Sequence, residues 1–378
     1  SQYMVKITGD SKSTGEVIRI LTMIMLGFIM IHVGYEFEID RTRLRSYGID
    51  YLVAATAAAF PWIFCALYFV FFFNDPAQWG SFETWTKSLL AGRFAAPTSA
   101  GVLFSMLAAA GLSATWYYQK VRVLAIFDDL DTVLLMIPLK MLIVGLRWQL
   151  GVIVIIMIIL LWLAWKYLHK IRMPVTWIWV LGYAMAIALV SEVIYKASKT
   201  FDDVVPIHIE VLLPAFVLGC MMARPHGHDP HSDDRREGHQ DGPESPGEQK
   251  VTTIISAAFM VLVGLSMPPI VLGGGDWLWI AFHVIIITIL ANLGKMFPLF
   301  VYRKEAHWRE RLAICVGMWP RGEVGAGVLI ISLGYGIGGR MVTVAALSLA
   351  LNLLLTGVFI VIVKRLLHSA PLSTERTN

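Results

Sequence analysis

Two adjacent carboxylates, Asp128 and Asp129, lie in a run otherwise apolar enough to cross a bilayer, Val123-Leu-Ala-Ile-Phe-Asp-Asp-Leu-Asp-Thr-Val-Leu-Leu-Met-Ile137. A charged side chain at the bilayer centre is disfavoured by roughly 2.5 to 3.5 kcal/mol, so such a pair persists where it faces a water-filled cavity, titrates or binds a cation. Successive helical residues are about 100° apart, which lets both acids line one crevice while only one faces its centre. Asp131, three residues after Asp128, shares that side more closely. Burial and a neighbouring carboxylate favour the protonated acid, whereas a nearby cation favours the ionised one. A buried pair of this kind can trade a proton for a hard monovalent cation, which prefers oxygen ligands. Structural ion pairing is the alternative for these acids, and for Asp131 it stands on equal terms.

Other residues could share that chemistry. Lys295, in Leu290-Ala-Asn-Leu-Gly-Lys-Met-Phe-Pro-Leu299, is a lone lysine deep in an apolar stretch and needs a buried anion, for which Asp128 or Asp129 is the candidate. A cation binding to the acids would compete with it. Snorkelling toward the interface is its bland alternative, but it lies near the middle of the stretch. Two apolar segments carry helix breakers, Ala95-Ala-Pro-Thr-Ser-Ala-Gly101 and Pro320-Arg-Gly-Glu-Val-Gly-Ala-Gly327. A broken helix frees carbonyls that can coordinate a cation, and its ends carry partial charges. Thr98 and Ser99 offer oxygens at the first break. Arg321 and Glu323 at the second can pair with each other or neutralise the half-helix ends, a structural role. Pro and Gly also occur as simple kinks in membrane helices.

Glu192, Lys140, Glu210 and His208 are read as interfacial, packing or regulatory groups. His226, His228, His231 and His239 could sense pH or hold a metal, but their loop lacks a ligand spacing. Cys65, Cys220 and Cys315 fall in three separate apolar stretches and read as small core residues. Gly334-Tyr-Gly-Ile-Gly-Gly339 matches a dinucleotide fingerprint by letter but lies outside any βαβ pattern, so it is read as a turn.

The elements that must position these groups are membrane helices. Of 378 residues, 57% are apolar and only 15% charged, well below the charged share of soluble domains. The formal charge of +4 reflects Lys and Arg that fall mostly in short connections, a pattern that fits membrane topology better than nucleic-acid binding. Apolar windows predict an all-α polytopic chain with eleven spans, 18–38, 51–73, 84–110, 121–146, 150–168, 175–197, 207–223, 251–272, 277–301, 311–336 and 341–366. The whole chain, 1–378, is expected to form one membrane domain, with 224–250 a flexible hydrophilic loop. No cleavable leader is visible, because residues 1–16 are polar and run into a full-length span.

Basic residues concentrate in alternate connections, around Arg41–Arg45, Lys120, Lys166–Arg172, Arg224–Lys250, Arg303–Arg311 and Lys364 onward, which predicts a cytoplasmic C terminus and an outer start. In that topology 51–146 and 277–366 form an inverted repeat: an entering span, a broken span, then a long helix. Pro97 to Asp129 and Pro320 to Asn352 each span 32 positions, making Asn352 the counterpart of Asp129. Two broken helices at matching repeat positions are the sequence pointer to a transporter site at the midplane.

Phe127-Asp-Asp, Gly294-Lys295, Phe259-Met-Val-Leu-Val-Gly-Leu-Ser266 and Trp319-Pro-Arg-Gly-Glu-Val-Gly325 resemble, in order, the motifs of the monovalent cation:proton antiporters. The resemblance covers essentially the whole chain and implies the inverted-repeat sodium/proton antiporter fold with two discontinuous crossing helices. It implies a homodimer whose core, containing both repeats, moves like an elevator against a dimerisation domain. It also implies that Asp129 binds the ion and carries the proton, that Asp128 is its partner, and that Lys295 pairs with Asp128. The two-aspartate form is typical of electrogenic members. Two departures stand out. The first break reads Pro-Thr-Ser where many relatives have Thr-Asp-Pro, and this chain lacks the one or two extra N-terminal helices that feed the dimer interface in relatives, so its N terminus has been removed or its numbering begins late.

The expectation is therefore an electrogenic secondary exchanger of protons for sodium or lithium, in a bacterial-type inner membrane among lipids, with no cofactor and no enzymatic activity. A potassium/proton exchanger on the same scaffold is the nearest alternative. An intramembrane aspartyl protease needs its two acids on separate helices, unlike Asp128 and Asp129. A channel or an organic-anion symporter fits the lysine and paired acids less well.

Overall fold

The computed structural model describes residues 11–36, 44–99, 103, 107, 112, 115–144, 148–201, 211–223, 246–266 and 276–368. Among the described residues every extended element is a helix, with a single isolated bridge, Ile171 to Met222, in place of any strand. In an apolar layer a backbone must satisfy its own polar groups, and the helix does so within one segment. The helices are α1 (Ser11–Glu36), α2 (Leu44–Phe73), α3 (Phe82–Gly92), α4 (Trp116–Val144), α5 (Trp148–Lys166), α6 (Trp177–Phe201), α7 (Leu212–Met221), α8 (Pro246–Ser266), α9 (Asp276–Gly294), α10 (Pro298–Val301), α11 (Trp308–Gly317), α12 (Glu323–Gly334) and α13 (Gly339–His368). Five stretches are long and apolar enough to cross a membrane, Glu16–Tyr35, Gly48–Phe73, Trp177–Ser198, Trp277–Val301 and Gly339–His368.

Several sequence windows resolve into something other than one unbroken span. In 84–110 the helix stops at Gly92, passes through a 3-10 turn at Arg93–Ala95 and becomes non-helical at 97–99. Proline at 97 denies the helix a donor and disfavours helical geometry at the residue before it. Window 311–336 is two helices, α11 and α12, separated by non-helical residues 319–322 around Pro320. Window 207–223 is helical only over Leu212–Met221 in its described part. The loop residues 224–245, with all four of the histidines singled out there, fall outside the described residues, as do His208 and Glu210. Gly334 to Gly339 is a turn between α12 and α13, with Gly336 and Gly339 at φ 73° and 74° where a side chain would be strained.

The chain divides into two compact units, one of 1–14, 40–145 and 263–378 and one of 15–39 and 146–262. Both repeat segments fall in the first. There α2 packs on α3, α4 and α9, while α13 packs on α9 and α11. The two lead helices, α2 and α9, approach so closely at Gly294 that a Cβ there would lie 2.4 Å from the Pro61 nitrogen. That contact fixes where the next residue, Lys295, enters the interior. In the second unit α1 and α7 cross at Gly34 and Gly219, where either Cβ would come within 2.1 Å of the other helix's carbonyls, and Arg19 pairs with Glu192 at 2.7 Å. Small residues at such crossings let helix backbones touch.

Gly294→Ala is expected to lower the thermal midpoint of the detergent-purified protein by an amount equivalent to about 1 to 3 kcal/mol, because the new methyl meets backbone rather than a movable side chain. Gly357→Ala, on α13 with nothing within 4 Å of its Cβ position, should leave the midpoint unchanged or raise it slightly.

Candidate functional site

The two breaks meet. The Ser99 N–H donates to the Pro320 carbonyl at 2.9 Å, and the Arg321 Nε donates to the Ala95 carbonyl at 3.0 Å, so each non-helical stretch supplies partners for the other. Gly322 allows this approach, since a Cβ there would lie 2.7 Å from the Ser99 hydroxyl oxygen.

Asp128 projects from α4 toward this junction, and it and Asp129 are 0% and 1% exposed. Lys295, 0% exposed just past the end of α9, places its Nζ 2.5 Å from Asp128 Oδ2. The same ammonium donates to the Ala96 carbonyl and reaches the Thr98 hydroxyl oxygen at 3.2 Å. Thr98 in turn donates to Asp128 Oδ2 at 2.7 Å, with the Met318 carbonyl 3.2 Å away. One lysine therefore binds a carboxylate on α4, a carbonyl and a hydroxyl of the first break, and through Thr98 the end of α11. A buried ion pair is tolerated when its remaining donors and acceptors are satisfied in this way. Asp128 Oδ1 has no hydrogen-bond partner among the described residues, which leaves one carboxylate oxygen available to a ligand. Asp129, the next residue, lies within electrostatic reach of Lys295.

Arg321 is a clamp. Fully buried, it donates to the carbonyls of Ala95, Trp319 (3.0 Å) and Ala291 (2.7 Å) and to Asn292 Oδ1 (2.6 Å), with Asn352 Oδ1 at 3.5 Å. These are carbonyls that broken and ending helices leave without intrahelical donors. Glu323 opens α12, but its side chain lies outside the described ones, so its expected pairing with Arg321 is not visible; the Arg321 bonds seen go to carbonyls and amides. Asn352, the counterpart of Asp129, is buried on α13, where its amide donates to the Ser348 carbonyl at 3.0 Å.

Asp131 faces other groups. Its Oδ1 accepts from the Tyr51 hydroxyl at 2.7 Å, and its backbone carbonyl accepts from Arg93 Nη2 at 2.8 Å. A second buried pair joins α2 and α4 further along: Lys120 lies 2.8 Å from Asp50, and the Tyr302 hydroxyl donates to the same oxygen at 2.8 Å. Sequence reasoning missed Arg93 and the Asp50 pair. Arg93 carried a visible signal, a cation four residues before Pro97 inside an apolar segment, and the rule applied to the acids would have marked it. In the sequence Lys120 reads only as a loop charge. The three cysteines are buried and none is in a disulfide among the described residues, and no group of three or more His, Cys, Asp or Glu assembles for a metal among the described residues.

Arg321→Ala should destabilise the detergent-purified protein by about 3 kcal/mol or more, read as loss of a monodisperse peak or a fall in thermal midpoint, because several buried carbonyls lose their donor together.

The comparisons with known proteins agree with this architecture. The chain is similar in fold to the sodium proton antiporter MjNhaP1 from Methanocaldococcus jannaschii, with 13% identity, a TM-score of 0.57, and coverage of 94% of this chain and 88% of that one. No curated protein matches it by sequence. The family described as sodium/hydrogen exchanger, transmembrane, matches residues 3–366, nearly the whole length and including both breaks, the paired aspartates and Lys295. This chain therefore belongs to the sodium/hydrogen exchanger family, as an integral membrane protein of the cation/proton antiport class.

Proposed function

We propose that this protein is an electrogenic sodium/proton antiporter, also accepting lithium, in which Asp129 exchanges a proton for the cation. The observation that carries the reading is the fully buried Lys295–Asp128 pair at the meeting of the two breaks, with Asp129 beside it. Asp129 loses its proton toward one side, and the cation binds between the acids and oxygens of the first break, with Thr98 and Ser99 the nearest candidates. Because Lys295 and the cation compete for Asp128, cation binding releases the lysine. The unit holding both repeats then shifts like an elevator to expose the site to the other side, where protons return. If Lys295 sheds its proton when released, two protons move for each cation and the cycle transfers charge. The concentration of Lys and Arg in alternate connections supports an inner-membrane protein with a cytoplasmic C terminus. It acts as a homodimer among membrane lipids.

Proteoliposomes containing the purified chain and a pH-sensitive dye test this directly. Imposed sodium or lithium gradients should drive protons, whereas a response to potassium alone would reassign the cation, and silence to all three would end the antiporter reading. Asp129→Asn is expected to reduce exchange to the level of empty vesicles. Lys295→Gln should leave any residual exchange insensitive to an imposed membrane potential.

A further inference from the structure

Two arginines lie fully buried next to the breaks, and they are used in opposite ways. Arg321 spends its guanidinium on carbonyls and an amide around it. Arg93, in the 3-10 turn that ends α3, is equally buried, yet among the described residues its side chain makes one hydrogen bond, from Nη2 to the Asp131 carbonyl. Its Nε and Nη1 have no hydrogen-bond partner among the described residues. The guanidinium lies over the Trp62 ring at 4.4 Å, and Trp62 is itself held by donation from its Nε1 to the Leu89 carbonyl at 2.7 Å. Stacking and one backbone bond thus fix the position of a charge whose donor capacity is mostly unused. A clamp would not leave it so.

The groups that feel this charge are carboxylates. Asp128 and Asp131 are its electrostatic partners, and Asp128 Oδ1 and Asp131 Oδ2 are both without hydrogen-bond partners among the described residues. Asp131 is also the acid to which the antiport scheme gives no part. It lies one helical turn beyond Asp128, bonded to Tyr51 from α2. A third carboxylate this close to the cation site adds attraction for any cation there, and a fixed guanidinium removes it again. In a medium of low effective dielectric neither contribution is negligible at the distance of one helical turn.

We propose that Arg93 is a positioning residue that sets the cation affinity of the Asp128–Asp129 site, acting as the fixed countercharge of Asp131. Arg93 makes its hydrogen bond to Asp131 and not to Asp128. It acts through the field at Asp128, keeping the cation loose enough to be released in each cycle. Guanidinium suits this role because it is charged and is stabilised on an aromatic face.

This inference rests on the antiport reading, and the test separates the two. Sodium dependence of exchange is measured in proteoliposomes at alkaline pH, where proton competition is weakest, for the wild type, Arg93→Gln, Asp131→Asn and the double variant. Arg93→Gln should lower the half-saturating sodium concentration on the order of tenfold, the effect of one unit charge acting through protein. Asp131→Asn should raise it by a similar factor, and the double variant should return it to within about threefold of wild type. Arg93→Lys, which keeps the charge, should stay near wild type. Should Arg93→Gln fail to reach the membrane, the Asp131→Asn and Arg93→Lys pair still decides. Half-saturation that moves in the same direction in both single variants, or changes only in maximal rate with half-saturation constant, would overturn the proposal. A wild type that drives no protons under any cation gradient would instead overturn the antiport reading on which it depends.

Discussion

Two helices stop inside an apolar layer, and that constraint organises the rest of the repeat-bearing unit. A broken helix leaves carbonyls without donors, and a hydrocarbon environment offers no water to satisfy them. Cations meet the demand. Arg321 binds carbonyls from α9 and both breaks, and Lys295 binds the carbonyl of Ala96 while pairing with Asp128. Those cations then need countercharges of their own, which the acids of α4 provide. The acids are thus part of one charge balance: Arg321 and Lys295 hold the breaks, and Asp128 pairs with Lys295. In the proposed cycle the entering monovalent ion displaces Lys295 rather than Arg321. Arg321 bonds to α9 and to both breaks at once, whereas the Lys295 ammonium bonds to Asp128 and to the first break.

The close packing of α2 against α9 serves the same end. Gly294 has no room for a side chain against Pro61, so the lead helices of the two repeats touch backbone to backbone immediately before Lys295. The ammonium reaches the junction because its own helix is anchored there. At the other end of α4, the bonds from Lys120 and Tyr302 to Asp50 tie α2, α4 and the segment after α10 together. The site helix is therefore held on both sides of its acids by buried polar contacts.

Much of this was legible in the amino-acid order, and the exceptions have physical reasons. The breaks were readable because proline and glycine act locally on the backbone, and both appear at the expected places as non-helical residues 97–99 and 319–322. The cost of burying Asp128, Asp129 and Lys295 marked them individually, and charge complementarity was enough to suggest that Lys295 joins one of the acids. The identity of that acid rested on family resemblance, because adjacent residues on a helix differ by a rotation that sequence leaves undetermined. Partners such as Asn292 for Arg321, or the Ala95 and Ala96 carbonyls, are long-range consequences of packing and carry no local signature. Arg93 was missed for a different reason: hydropathy averaging absorbed one cation into an apolar window. Asn352, found by counting residues from Pro320, is buried beside Arg321.

The central claim is that a cation takes its place at the acids by displacing protons from this charge balance. Calorimetric titration of the purified protein with sodium, in buffers that differ in ionisation enthalpy, counts the protons released for each ion bound. The account predicts release of one to two protons per sodium. Sodium binding at these acids with the same heat in every buffer, and hence with no proton released, would contradict it.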